Sequence, residues 1–134
     1  MDSETIQVTT GSRPNAVDIT DAARSFVSGR GDGLLSVFVP HATAGVAILE
    51  TGAGSDRDLL AHIETLFPRD DRWDHRHGSA GHGADHVLPA FIAPSITVPV
   101  IEGALQLGTW QSIILVDPNG DNATRTVRFS FLPA

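Results

Sequence analysis

The sequence predicts an α+β fold, a mostly antiparallel sheet or sandwich with two or three helices. Three observations lead there. Strand-like apolar runs occupy both ends of the chain, helical patterns interrupt them singly, and the C-terminal third reads as a meander. The 134 residues suit one domain spanning 1–134, and 41 % hydrophobic residues suffice for a core without disulfide support.

In chain order, ETIQVT (4–9) reads as the opening strand. ITDAARSFVSG (19–29) offers Thr20 as an N-cap, then Ala23, Phe26 and Val27 at helical spacing, and Gly29 as a stop. GLLSVFVP (33–40) and AGVAILE (44–50) are apolar on both parities, as in strands covered on both faces. SDRDLLAHIETLFP (55–68) is the plainest helix. Ser55 is its expected cap, Leu59, Leu60, Ile63, Leu66 and Phe67 form its stripe, and Pro68 closes it. Residues 69–82 have the charges, glycines and histidines of a loop. ADHVLPAF (84–91) predicts a short helix if Pro89 falls in a first turn. SITVPVI (95–101), ALQLGTWQSIILV (104–116) and TRTVRFSFL (124–132) predict three strands, and Asn119-Gly120 predicts a hairpin between the last two.

Composition narrows the chemistry. Cysteine is absent, which removes thiol catalysis and zinc–thiolate sites and fits a reducing cytoplasm. All nine basic residues are arginines, scattered against sixteen acids for a net charge of −7, so nucleic acid is rejected as a main partner. No apolar run is long enough for a membrane span, and the acidic N-terminus does not resemble a signal peptide. The expectation is a soluble, cytoplasmic protein.

Four of the six histidines fall in HRHGSAGHGADH (75–86). His75 and His77 would share a face of an extended segment, and His82 and His86 a face of a helix. Imidazole is a common ligand for divalent zinc, nickel or iron, so the loop fits a metal site. It fits a solvated polar loop equally well. His41 follows an apolar strand, where a side chain points into a cleft or simply sits in a turn. Glu50, nine residues on, is either a general base or a charged strand end. Arg125 shares the inward parity of Val127, Phe129 and Phe131, so it needs an anionic partner, a protein carboxylate or a bound anion. Asp85 is either a carboxylate orienting an imidazole or an acid in a first helical turn.

Together these segments resemble the YjbQ-like family, also called the secondary thiamine-phosphate synthase family. The resemblance is carried by HATAGVAILE (41–50), by WDH (73–75) with a histidine eleven residues later at His86, by PSITVPVIEGALQLGTWQSIILV (94–116), and by RTV at Arg125. It implies an α+β homotrimer with a histidine-lined pocket in which His41, His75 and His86 hold a divalent metal, zinc being the expected ion. It also implies that Glu50, Thr109, Gln111 and Arg125 line that pocket. Thr43 and Asp85 are expected to touch substrate there, and Glu50, His82 and Arg125 to act in catalysis. Two positions depart from the family pattern: Leu49 precedes Glu50 where asparagine is frequent, and His82 stands where asparagine or aspartate is frequent.

The implied activity is formation of thiamine phosphate from an aminopyrimidine diphosphate and a thiazole phosphate, a side activity of a pocket that takes small phosphorylated molecules. Metal-assisted phosphoester hydrolysis is the alternative, with Glu50 or His82 activating water. A non-catalytic trimeric metal- or ligand-binding protein is the third reading, favoured if His82 completes a four-ligand sphere.

Overall fold

The computed structural model describes all 134 residues. Its strands are β1 (Asp2–Thr9), β2 (Asn15–Asp18), β3 (Gly33–Phe38), β4 (Gly45–Leu49), β5 (Ser95–Ile101), β6 (Ala104–Leu105), β7 (Ser112–Asp117) and β8 (Thr124–Pro133). The helices are α1 (Thr20–Val27), α2 (Ser55–Leu66) and α3 (Gly83–Val87), the last continued by a 3-10 turn at Leu88–Ala90 with Pro89 inside it. One sheet has the order β1-β8-β3-β5-β6 and the other β2-β7-β4. All the pairings are antiparallel. No helix is long and apolar enough to cross a membrane.

The pattern of β7 explains the layering. Its side chains alternate between faces, and both faces are apolar. Ile113 and Leu115 join Leu35, Val37, Val98 and Phe129 in the core between the sheets. Ile114 and Val116 face the other way, onto Ile63 of α2 and Leu88 of the 3-10 turn. The three-stranded sheet is therefore a middle layer, with the larger sheet on one side and α2 on the other. Helix α1 adds Ala23, Phe26 and Val27 to the main core, and Phe26 meets the Phe129 ring at 5.7 Å between centroids.

Several expectations change. The hairpin at Asn119-Gly120 does not form, because β7 and β8 lie in different sheets. Residues 118–123 instead carry the chain across from one layer to the other, so the C-terminal third is not a meander. The predicted strand 104–116 breaks into β6 and β7 at a turn where the Gly108 N–H donates to Gln111 Oε1. The short strand β2 was not expected at all.

Thr20 and Ser55 do not cap their helices. Each is the first helical residue, and the residues before them are Ile19 and a left-handed Gly54. The Thr20 hydroxyl accepts from the Ile113 N–H at 2.8 Å, tying α1 to β7, while Asp18 accepts from the Thr20 N–H. On α2 only Ile63 is buried, and Leu66 is 68 % exposed. Strand β3 is covered on one face only, for Leu34 remains exposed beside Leu132 of β8 and Phe38 beside Arg128.

Candidate metal centre

The glycine-rich loop is compact because four anchors hold it. Trp73 Nε1 donates to the Pro68 carbonyl at 2.8 Å, and Arg76 donates to the carbonyls of Trp73 and Asp71. Arg69 reaches forward to Ser79 Oγ and to both oxygens of Asp85. Ser79 donates to Asp121 Oδ2 through its N–H and its hydroxyl. The glycines serve close packing. A Cβ at Gly83 would collide with the His75 carbonyl oxygen and lie 2.6 Å from Trp73 Cβ. Gly81, at φ +74°, lies against the Arg69 backbone in a conformation other residues adopt only with strain.

This packing gathers the loop histidines. Ring nitrogens of His75, His82 and His86 lie within 4.8 Å of one another. His82 Nε2 is 2.9 Å from His86 Nε2. His77 stands close by, its ring centroid 3.9 Å from that of His75 and 5.6 Å from that of His82. The four-residue spacing of His82 and His86 does bring them together, from the start of α3. The expected set of His41, His75 and His86 is not the one that converges, since His82 takes the place of His41.

Burial pushes His75 below the ordinary 6.5 for imidazole, and the positive charge of protonated His77 or His82 adds to the effect. His86 is lowered in the same way, by burial first and then by His75, His82 and His77. Both therefore favour the neutral form that a metal ligand requires. The donor set fits a borderline cation such as zinc: three imidazoles converge, and His82 Nδ1, pointing away, has Asp121 Oδ2 at 3.1 Å and Asp85 Oδ2 at 3.6 Å. Next to the cluster is a cleft of about 290 Å³ whose lining includes Arg69, Trp73, His75, Arg76, Ser79 and His82. A more apolar cavity of about 490 Å³ lies beyond it, walled by Leu60, Ile63, Phe67 and Leu88. Arg69 borders both, and its Asp85 partner lines the second.

Arg125 is inward, as its parity predicts, and only 2 % exposed. Its partner is a protein carboxylate. Nε and Nη2 donate to the two oxygens of Asp117 at 2.7 and 2.9 Å, and Nη2 also reaches Thr43 Oγ1 at 2.8 Å. Asp117 accepts further from Thr10 Oγ1 and from the Asn119 N–H. A buried carboxylate with four donors is fully satisfied, and here it links β8 of one sheet to β7 of the other. His41 lies beside this clamp, with Nε2 accepting from the Thr126 N–H at 2.8 Å. Burial lowers its pKa, and the nearby Arg125 charge lowers it further. Asp85 is buried and bound to Arg69; burial raises its carboxyl against the pull of that guanidinium.

Glu50, Thr109 and Gln111 lie elsewhere. Register pairs Leu49 with Ser112 at one end of β4–β7 and Gly45 with Val116 near the other. At 3.3 Å per residue, the five steps of β7 separate the two ends by about 17 Å. Glu50 and Gln111 flank the first end, in chain segments leading into or out of the strands. Thr43, Asp117 and Arg125 occupy the second, with the histidine loop reached from it through Asn119 and Asp121.

Sequence reasoning missed Arg69, Asp117, Asn119 and Asp121. Three of these four fall in DPNGDN, whose turn-forming character masked its acids. The available signal was the inward parity of Arg125, which demands an acid without saying which.

A two-layered antiparallel sandwich backed by a helix, with histidines clustered beyond one strand end, defines the class of this protein. A model of the UPF0047 protein YjbQ-like family matches residues 4–134, and the chain belongs to that family. It is 62 % identical to the UPF0047 protein Rv2556c of Mycobacterium tuberculosis over 98 % of both chains. It is 34 % identical to the UPF0047 protein YugU of Bacillus subtilis, over 92 % of this chain and 93 % of that one. Among solved structures, the hypothetical protein APE1520 from Aeropyrum pernix superposes with a TM-score of 0.90 at 32 % identity, covering both chains completely. A YbjQ-like protein of unknown function from Sulfolobus solfataricus gives 0.91 at 29 % identity, over 99 % of this chain and 97 % of that one.

Proposed function

We propose that the chain is one subunit of a homotrimeric, metal-dependent enzyme acting on small phosphorylated molecules. The observation that supports this best is the convergence of His75, His82 and His86 beside a cleft that also holds Arg76. Three imidazoles hold a divalent ion and leave a coordination position open. Bound there, zinc would supply Lewis acidity toward a phosphoryl oxygen.

The remaining work falls to the chain's own groups. Arg125 is neutralised by Asp117, so anion recognition passes to Arg76, which is held by two carbonyl oxygens rather than a carboxylate. The apolar cavity beyond Arg69 is large enough for the organic part of a substrate. Glu50, Thr109 and Gln111 do not line the cleft of their own chain, so in this reading a neighbouring copy brings them. The exposed Leu34, Phe38, Ile101 and Leu132 of the larger sheet support assembly. Thiamine-phosphate formation is the side activity that the family resemblance suggests, and phosphoester hydrolysis is its competitor.

A non-catalytic metal-binding role has one observation in its favour, the proximity of the His77 ring. A fourth imidazole would close the sphere. The test is metal analysis of purified, untagged protein and of its His82→Ala, His86→Ala and His77→Ala variants, followed by assays of phosphoester turnover and thiamine-phosphate formation. Stoichiometric metal lost in His82→Ala and His86→Ala, with chelator-sensitive turnover, supports the enzyme. Metal without turnover, weakened in His77→Ala, supports the binding protein. A chain that neither carries nor takes up zinc, nickel, manganese or iron ends both readings.

A further inference from the structure

We propose that Asp121 is the positioning residue of His82: its carboxylate takes the Nδ1–H and so turns the Nε2 lone pair into the histidine cluster. The purpose of this contact rests on the metal reading above, but the contact can be tested without it.

The argument begins with an orphan. His82 is buried, and its Nε2 already faces His86 Nε2 at 2.9 Å. Nδ1 must then face outward, and it is buried without a hydrogen-bond partner. Buried polar nitrogens without partners are rare because nothing replaces the lost water. Two carboxylates are near enough to serve. Asp85 Oδ2 is the farther, at 3.6 Å, and both Asp85 oxygens already accept from Arg69 at 2.6 and 2.5 Å. Asp121 Oδ2 is 3.1 Å from Nδ1, off the N–H axis. It also accepts from Ser79 but, unlike Asp85, the Asp121 carboxylate is paired with no arginine and is partly exposed, so a small rotation completes the bond.

What keeps Asp121 there is the cross-sheet clamp. Its N–H donates to Asn119 Oδ1 at 2.6 Å. Asn119 is itself buried, with Nδ2 on Thr43 Oγ1 and its N–H on Asp117 Oδ1, the carboxylate that holds Arg125. From the other side, Ser79 fixes Asp121 Oδ2 through two donors. A run of hydrogen bonds thus leads from the middle of the fold to the outer nitrogen of one histidine. A carboxylate on the rear nitrogen selects the tautomer whose front nitrogen is a ligand, and ligand imidazoles use this arrangement routinely.

The experiment combines nitrogen-15 NMR of the His82 ring in metal-free protein at pH 8 with zinc affinity by chelator competition. Wild type is compared with Asp121→Asn, which keeps the carboxylate's shape, with Asp121→Ala, and with Asp121→Glu as the conservative rescue. The expected result is an Nδ1–H tautomer at His82 in wild type, lost in Asp121→Ala, weakened in Asp121→Asn and partly restored by glutamate. Zinc affinity should fall about 10- to 100-fold in Asp121→Ala. A ring whose tautomer is the same in all four proteins overturns the proposal, as does an unchanged affinity where wild type binds zinc. A wild type that binds no zinc but shows the Asp121-dependent tautomer leaves the positioning role standing and removes the metal reading.

Discussion

The two ends of β7 present the same kinds of residue in different states. At the Asp117 end, Thr10, Thr43, Asp117, Asn119 and Arg125 are all buried, and each is hydrogen-bonded to another member of the group. At the Ser112 end, Thr109, Trp110 and Gln111 are exposed, Trp110 by 74 %, and the Gln111 side chain does no more than close its own turn. A low dielectric makes each polar contact at the first end both stronger and costlier to break. Water levels those costs at the second. The first end is a finished structural joint on which the histidine loop is hung, whereas the second is left open within the single chain.

The largest expected effect comes from breaking the joint. Arg125→Met strands Asp117 in the core and should destabilise the fold by about 3–5 kcal/mol, measured by urea unfolding. A loss near zero would mean that the clamp contributes nothing beyond its apolar replacement. Thr43→Val removes the acceptor shared by Arg125 and Asn119 while keeping the volume, and should cost about 1–3 kcal/mol in the same measurement. Gln111→Ala at the open end should stay within about 0.5 kcal/mol of wild type. An equal loss at the two ends would erase the contrast.

Acid should weaken the joint's end selectively. His41, His75 and His86 all titrate below 6.5 in the folded chain, so near that pH the unfolded chain binds more protons. Their contribution is present above 6.5 and is lost as pH falls through the lower, folded values. Stability measured by urea at a series of pH values should decline below 6.5 in wild type. His41→Gln should flatten that decline, and a slope unaltered by the substitution would remove His41 from the account. Gln111→Ala should keep the full slope.

Much of the fold was legible because it depends on local pattern. Short apolar runs gave most strands, the 3.6-residue stripe gave α2, and Pro89 sat where a first turn tolerates it. The inward parity of Arg125 was legible for the same reason, since a strand's period of two survives whatever its partner. The same local logic failed at Asn119-Gly120. The dipeptide suits a tight turn, but strand pairing is chosen by distant segments, and β7 found β2 and β4 while β8 found β1 and β3.

The sequence by itself therefore determined the class of fold, the grouping of histidines in one loop and the need of Arg125 for an anion. The tertiary structure alone decided that this anion is Asp117, that His82 rather than His41 joins His75 and His86, and that Glu50 and Gln111 flank the end of β7 opposite Asp117, a strand length of about 17 Å. The division has a physical basis. Periodicity is written in neighbouring residues, whereas a contact such as Arg125 with Thr43, 82 residues apart, exists only after two sheets have packed.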